Sequence, residues 1–364
     1  MNESDFVYKG VATQPLEGKV IWTAPSNIAL IKYWGKKGLQ TPANPSLSFT
    51  LSSSSTTTEL IFRPAQSKKN KVSFDLFFDD RPKPSFRAKV KGFFERILPY
   101  VSFLKGYQVE IRTSNTFPHS SGIASSASGM GALALCIMSL EKEITGLEDE
   151  DYFMKKASFL ARLGSGSACR SIQGPVVVWG NSSEYPESND LYGVPLSGRV
   201  HPVFETYQDT ILLVDKGQKK VSSTLGHNLM NGHPYGISRF VHAMENMSRM
   251  REIIQNGDLP EFVHVVESEA LSLHAMMLTS NPYFLLMRPN TLEIIEAIFE
   301  YRQDTGNQVC FTLDAGANVH LLYPEEIKFK VEDFVESRLK QFCEKGQYLM
   351  DSVGSGAEQK FSNS

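Results

Sequence analysis

The sequence predicts an α+β chain folded as two lobes with a cleft between them. Three observations lead there. Stretches between residues 20 and 113 alternate polar and apolar residues, as half-buried strands do. Stretches from 235 to 304 instead repeat apolar residues every three or four positions, which is helical spacing. Between the two lies a turn-rich segment, residues 181–196, that carries two prolines. The expected division is an N-terminal lobe over 1–195 and a C-terminal lobe over 196–350. Residues 351–364 are polar and glycine-containing, and are expected to be loosely ordered.

The elements follow in order. Residues 1–18 read as an irregular lead-in, and 20–24 as a strand that stops at Pro25. Next, Lys32, Lys36 and Lys37 interleave with Tyr33 and Trp34 directly after an apolar run. This cluster is either an amphipathic strand end or a set of cations aimed at an anionic ligand between aromatic walls. Strands are expected at 46–51, 60–62 and 72–78, with a lysine-rich hairpin tip at 68–71. A helix over 87–98 and a strand over 107–113 lead into residues 114–135, SNTFPHSSGIASSASGMGALAL. There a loop of small residues, Ser120, Ser121, Gly122, Ile123, Ala124, Ser125 and Ser126, feeds the start of a helix over 124–143. The first N–H groups of a helix lack intrahelical partners, and the dipole places positive charge there, so a phosphate can approach. A Ser-capped helix packed on a neighbour is the plainer alternative.

A second helix over 149–162 ends at another small-residue loop, 164–171, which carries Arg170. Strands at 175–179 and 211–214 follow, then a basic, hydroxyl-rich loop at 216–224. Helices are expected over 235–256, 259–278 and 290–304. A strand over 308–313, a tight turn at 314–318, a returning strand over 319–323 and a helix near 325–344 complete the chain.

Composition narrows the function. Hydrophobic residues make up 41% and charged residues 21%, ordinary for a soluble globular protein. A net charge of −3 gives no global attraction to nucleic acid or to an anionic membrane, so neither partner is expected and any anion site must be local. Cys136, Cys169, Cys310 and Cys343 are far apart, which suits reduced thiols rather than a disulfide frame or a zinc site. The opening MNESDFVYKG does not read as a signal peptide, and no apolar run approaches a membrane span. A cytoplasmic protein is expected. The chain contains no G-x-x-x-x-G-K-S/T loop, no H-E-x-x-H pair and no G-x-S-x-G elbow.

The pattern P-x-x-x-G-I-x-S-S-A over 118–127 resembles the phosphate loop of the galactose, homoserine, mevalonate and phosphomevalonate kinase superfamily. Four further motifs stand in order around it: N-I-A-x-I-K-Y-W-G-K at 27–36, G-S-G-S-A-C-R-S at 164–171, K-K-V-S-S-T at 219–224 and D-A-G-x-N at 314–318. Together they resemble the mevalonate diphosphate decarboxylase family, the decarboxylating branch of that superfamily. The resemblance implies the superfamily's two-lobed fold, ATP and magnesium as cofactors, a small-molecule substrate and often a homodimer. It implies conversion of mevalonate 5-diphosphate and ATP to isopentenyl diphosphate, ADP, phosphate and carbon dioxide.

By that resemblance Asp314 takes the proton of the 3-hydroxyl, Lys32 stands beside it, and Arg170 grips the substrate carboxylate. Tyr33, Trp34, Gly35, Lys36, Ser165, Gly166, Ser167, Ala168, Cys169 and Thr224 match substrate contacts. Ser222 and Ser223 fall where a hydroxyl meets the diphosphate, and Arg87 falls in the helix where another diphosphate-binding arginine belongs. Asn27 supports the Asp314 site. Ser120 to Ser126 wrap ATP, with Ser125 or Ser126 on magnesium. Three alternatives stay open at this point. They are a superfamily kinase that phosphorylates an alcohol without decarboxylation, a 5-phosphomevalonate decarboxylase, and a binding protein on a dead kinase scaffold.

Overall fold

A computed structural model describes residues 1–10, 16–66, 71–118, 123–217 and 223–363, with the backbone alone for Ser223, Thr224, Ser362 and Asn363. The expected hairpin tip at 68–71 falls almost wholly outside these residues. The chain is α+β. Its N-terminal half builds one large sheet from β1 (Gly18–Ile31), β4 (Ser46–Pro64), β5 (Ser73–Phe78), β6 (Arg81–Pro82), β7 (Tyr107–Asn115), β8 (Val176–Trp179) and β9 (Val194–Pro195). A small hairpin, β2 (Lys36–Gly38) with β3 (Thr41–Pro42), projects from it. Helices α1 (Pro84–Ile97), α2 (Ser125–Thr145) and α3 (Glu150–Gly164) belong to this half.

β1 does not stop at Pro25. It continues to Ile31, and the register with β4 shifts between Pro25 and Asn27. Proline lacks the N–H for a regular ladder, and a bulge accommodates it. The first half of β1 alternates buried with partly exposed residues, whereas every residue from Ala24 onward is buried. The strand therefore runs from the sheet surface into the interior of the molecule.

α2 is apolar almost all round because it is wedged between β1, β4 and α3. A Cβ at Gly131 would stand 3.4 Å from both the Ala24 and Ser171 side chains, so a small residue suits that crossing. Glu141, on the same helix, is buried and paired with the buried Lys156 at 2.6 Å.

The C-terminal half holds a four-stranded sheet of β10 (Gln208–Leu212), β11 (Cys310–Leu313), β12 (Val319–Tyr323) and β13 (Tyr348–Ser352), in the order β11-β12-β10-β13. Helices α4 (Ser223–Asn228), α5 (Gly236–Asn256), α6 (Leu259–Leu278), α7 (Pro289–Thr305) and α8 (Lys328–Phe334) accompany it. Alternation splits the sheet's side chains. Ile211, Cys310 and Leu322 join a core shared with β1, β4, α5 and α6. Leu212, Phe311, Leu313, Val319 and Leu321 join a second core with α7 and α8. The helix expected near 325–344 is broken into short 3-10, α and π turns.

Both ends of the chain are more ordered than expected. The lead-in contains a helical turn, Glu3–Phe6, whose Phe6 ring stacks on Phe159 at 4.5 Å. The supposed loose tail forms β14 (Glu358–Asn363), antiparallel to β1 at the edge of the large sheet. Its residues are polar because the pairing is made through the backbone, which hydropathy does not register. Asp351 on β13 accepts hydrogen bonds from the Ser53 and Ser54 N–H groups at 2.8 and 2.7 Å, tying the small sheet to the large one.

Candidate active site

The buried end of β1 delivers Lys32, 1% exposed, to a cavity of about 550 Å³ between the two halves. Its backbone is held from two sides. The Lys32 N–H donates to Glu269 Oε2 at 2.8 Å, and its carbonyl accepts from Asn44 Nδ2 at 3.0 Å. Glu269 is itself fully buried and receives both Arg239 terminal nitrogens, at 3.2 and 2.6 Å, and Asn246 Nδ2 at 2.8 Å. With the backbone fixed, Lys32 Nζ reaches Asp314 Oδ1 at 3.3 Å. Burial pushes the Lys32 ammonium down from its ordinary value, and the charges of Asp314 and Glu269 counter this.

Asp314 sits in the turn between β11 and β12, its side chain 30% exposed toward the cavity. The turn is tightened by the Gly316 N–H, which donates to the Asp314 carbonyl at 2.7 Å. His274 of α6 holds the same carbonyl through Nε2 at 3.1 Å. The contact needs a proton on Nε2; burial pushes the His274 imidazole down to about 4, so it is the neutral ring that donates.

Arg170 enters from the 3-10 turn Gly166–Ser171 and is buried. Its terminal nitrogens donate to Ser46 Oγ and, at 3.4 Å, to Asn27 Oδ1, while Nε is buried without a partner. The guanidinium lies 5.8 Å from the Trp179 ring centroid. No carboxylate of the described residues forms an ion pair with it. A guanidinium in that position bears its desolvation cost until an anion arrives. Asn27 donates to the Ser167 carbonyl at 3.1 Å and to Ser171 Oγ at 2.7 Å, so it braces Arg170 directly, not Asp314 as expected.

Tyr33 and Trp34 form an aromatic wall that includes His227 of α4, a residue no sequence motif singled out. Gly35 has φ +95°, and a Cβ there would stand 2.7 Å from the Phe240 ring, so only glycine fits. Gly166 likewise leaves room for Tyr33 and Trp179, whose atoms would lie 2.8 and 2.9 Å from a Cβ. Gly164, Ser165, Gly166 and Ser167 line the cavity. Ala168 and Cys169 do not; they are buried behind it, and burial pushes the Cys169 thiol up to about 12.

Arg87 also requires correction. Its guanidinium lies over the Phe74 ring at 4.6 Å, away from the cavity. Lys89, Gly92 and Arg96, three and four residues apart on another face of α1, line the cavity instead.

Ile123, Ala124, Ser125 and Ser126 also line the cavity, at the start of α2. Ala124, the N-cap of α2, has φ +33° and makes no side-chain cap hydrogen bond, and the Ala127 N–H bonds back to its carbonyl at 2.6 Å. Lys89 Nζ donates to Ser126 Oγ. Ser120, Ser121, Gly122 and Ser222 lie outside the described residues, as do the side chains of Ser223 and Thr224.

Residues 24–190 match the model of the diphosphomevalonate decarboxylase-like N-terminal domain, and 210–362 that of the mevalonate 5-diphosphate decarboxylase C-terminal domain. The diphosphomevalonate decarboxylase of Ganoderma lucidum is 31% identical over 340 residues, covering 88% of this chain and 81% of its own. The chain belongs to the diphosphomevalonate decarboxylase family.

The Candida albicans diphosphomevalonate decarboxylase is 30% identical, covering 85% of each chain. A structure of the Staphylococcus aureus mevalonate diphosphate decarboxylase superposes with TM-score 0.80 at 26% identity, over 94% of this chain and 98% of that one. Another, described as MDDEF in complex with MVAPP, AMPPCP and magnesium, superposes with TM-score 0.81 at 26% identity, over 96% and 100%. The two-lobed fold expected from the motifs is thus the fold of the diphosphomevalonate decarboxylase family.

In this family member two buried imidazoles set an acid limit. Burial pushes His227 down to about 3 and His274 to about 4, against an ordinary 6.5. Both stay neutral in the folded chain, while the unfolded chain takes up a proton on each below 6.5. Their contribution is therefore fully present above pH 6.5 and is lost as pH falls toward 4. By pH 5 each costs about 2 kcal/mol of stability. Urea unfolding at pH 7.5 and pH 5 measures this, and equal midpoints would contradict the burial of both rings.

Proposed function

We propose that this cavity carries out ATP-dependent decarboxylation of mevalonate 5-diphosphate to isopentenyl diphosphate, with release of ADP, phosphate and carbon dioxide. The observation that carries the reading is the buried Arg170, without a carboxylate partner among the described residues, in one cavity with the Lys32–Asp314 pair.

The substrate's tertiary hydroxyl is a poor leaving group until it is phosphorylated. In the proposed mechanism Asp314 accepts the hydroxyl proton as the oxygen bonds to the γ-phosphorus of ATP and the bond to ADP breaks. An ordinary aspartate, near pKa 3.9, is far too weak a base to form the alkoxide beforehand, so proton transfer is late. Lys32 holds Asp314 ionised and in place. The C3–O bond to phosphate then breaks, the carboxylate leaves as carbon dioxide, and its bonding pair forms the new double bond. Arg170 orients that carboxylate through its planar fork. Lys36, Lys89 and Arg96 supply positive charge near the mouth for the diphosphate.

The start of α2, where the helix dipole places positive charge beside the cavity, fits the ATP phosphates. A smaller cavity of about 100 Å³ shares Lys89, Ser125 and Ser126 with the main one and is lined by Leu76, Phe86 and Ile111, which suits the nucleotide base. No cluster of three His, Cys, Asp or Glu residues able to hold a metal occurs among the described residues. Magnesium would be carried largely by phosphates and water, with a hydroxyl of Ser125 or Ser126 supplying a protein ligand. When bound it neutralises phosphate charge.

We also infer a homodimer, because α5 and α6 leave Ile237, Val241, Met244, Leu271 and Leu278 exposed; light scattering in solution tests it. A cytoplasmic location accords with four free, buried cysteines, and no helix of the described residues is long and apolar enough to cross a membrane.

The deciding experiment offers mevalonate 5-diphosphate and 5-phosphomevalonate side by side with ATP and magnesium. The diphosphate is expected to yield carbon dioxide and ADP in equal amounts. ADP with a stable phosphorylated product would mark a kinase, faster turnover of the monophosphate would move the substrate, and no ATP turnover would leave a binding protein.

A further inference from the structure

His227 is 6% exposed, and its orientation is fixed from three directions. Nδ1 accepts a hydrogen bond from the Gly35 N–H at 3.0 Å. The ring packs on Tyr33 at 4.2 Å and 40°, and on Trp34 at 4.8 Å and 35°. An N–H donor at Nδ1 demands a lone pair there, so the ring's proton sits on Nε2. That nitrogen has no hydrogen-bond partner among the described residues, and the ring lines the main cavity. Near it, the Tyr33 hydroxyl, Trp34 Nε1 and Arg170 Nε are buried without hydrogen-bond partners, in residues that line the same cavity.

The acceptor can be narrowed. Arg170, with Asn27 and Ser46 behind it, suits a carboxylate, and Asp314 suits a hydroxyl. His227 is bonded to the residue just before Lys36, and among charged neighbours Lys36 acts on its ring most strongly. Lys36 lines the cavity too, with no carboxylate partner among the described residues. Lys36 and His227 line the same cavity, so an anion drawn to Lys36 is the candidate acceptor for the Nε2–H. A neutral donor is the economical choice there, since a further cation would be repelled by Lys36 and Arg170 and would have to be desolvated.

We infer that His227 is a specificity-determining residue whose Nε2–H donates to a phosphoryl oxygen of the substrate's diphosphate. The assignment takes the identity of that ligand from the decarboxylase reading. It does not depend on turnover.

The probe is inorganic pyrophosphate, with its dissociation constant measured by calorimetry on the full chain. His227→Asn keeps an acceptor near Nδ1 for Gly35 but cannot reach the Nε2 position. His227→Met removes both functions and keeps bulk. His227→Gln returns an amide N–H close to Nε2. Hydrogen bonds to charged groups contribute about 1.5–3 kcal/mol, so Asn and Met are each expected to weaken pyrophosphate about 10-fold or more, and Gln to recover most of the loss. The KM for mevalonate 5-diphosphate should rise in step, with kcat changed less than about 3-fold and the KM for ATP unchanged, a split that a merely structural role would not produce.

Pyrophosphate binding within about 2-fold of the parent in a folded Asn or Met variant would overturn the inference. So would equal losses in Asn, Met and Gln. If the parent releases no carbon dioxide yet loses pyrophosphate affinity in Asn but not in Gln, the decarboxylase reading fails while the phosphoryl contact stands.

Discussion

Asp314→Asn is expected to lower carbon dioxide release by about 10²–10⁴-fold, the usual worth of a positioned general base. The substitution preserves shape, so the turn held by Gly316 and His274 should survive. What it removes is the acceptor of the hydroxyl proton and the anion 3.3 Å from Lys32 Nζ. ADP formation should fall together with carbon dioxide, because phosphorylation precedes loss of the carboxylate in the proposed order. Substrate KM should move far less than kcat, since Asn still fills the position. The Lys32 ammonium, already pushed down by burial, loses its closest counter-charge, yet the effect on stability should be modest because the Asp314 side chain is 30% exposed and water screens the pair. Single-turnover measurement of both products decides the matter. Carbon dioxide release within about 5-fold of the parent would show that the proton goes elsewhere.

Arg170→Met should separate function from folding. Truncating one member of a buried, hydrogen-bonded charge pair costs about 2–5 kcal/mol, so catalytic efficiency should fall by about 30-fold to several thousand-fold. Stability should hold or rise. Before an anion binds, Arg170 is a buried guanidinium with only two neutral side-chain acceptors, Ser46 and Asn27, and an orphaned Nε. Replacing such a charge by an apolar side chain of similar length is commonly neutral or stabilising. Arg170→Lys should rescue little, because a point charge cannot form the planar fork. Thermal melting and steady-state kinetics on the same preparations test this. A melting temperature that drops in proportion to activity would mean that Arg170 serves the fold first.

The elements that could be read from the residues are those whose burial is patterned. α2, α3, α5, α6 and α7 keep helical spacing in their apolar residues because one or more faces pack on a sheet, and the expected limits lie within a few residues of those found. Lys32, Arg170 and Asp314 were legible for a different reason. Each stands in a short run of small or aromatic residues, and the order of the runs resembles one family. What stayed hidden depends on partners distant in sequence. Pro25 gave a local reason to stop β1, but β4 tolerates a bulge there. Lys89 and Arg96 share a helix face, yet nothing local indicates which face meets the cavity; Arg87, equally basic, stacks on Phe74 instead. A single histidine such as His227 carries no spacing at all. Only the packing of α4 beside Gly35 gives it a role.

β14 has a consequence for how the molecule comes to be assembled. It supplies the outer neighbour of β1, a strand laid down more than three hundred residues earlier. During synthesis the early sheet must wait with one margin of bare amides and carbonyls until 358–363 leave the ribosome. Bare margins of that kind recruit other chains. Nascent copies crowded on a polysome should therefore be more prone to stick to one another than finished ones, and supplying a peptide of the 358–363 sequence in trans should relieve it.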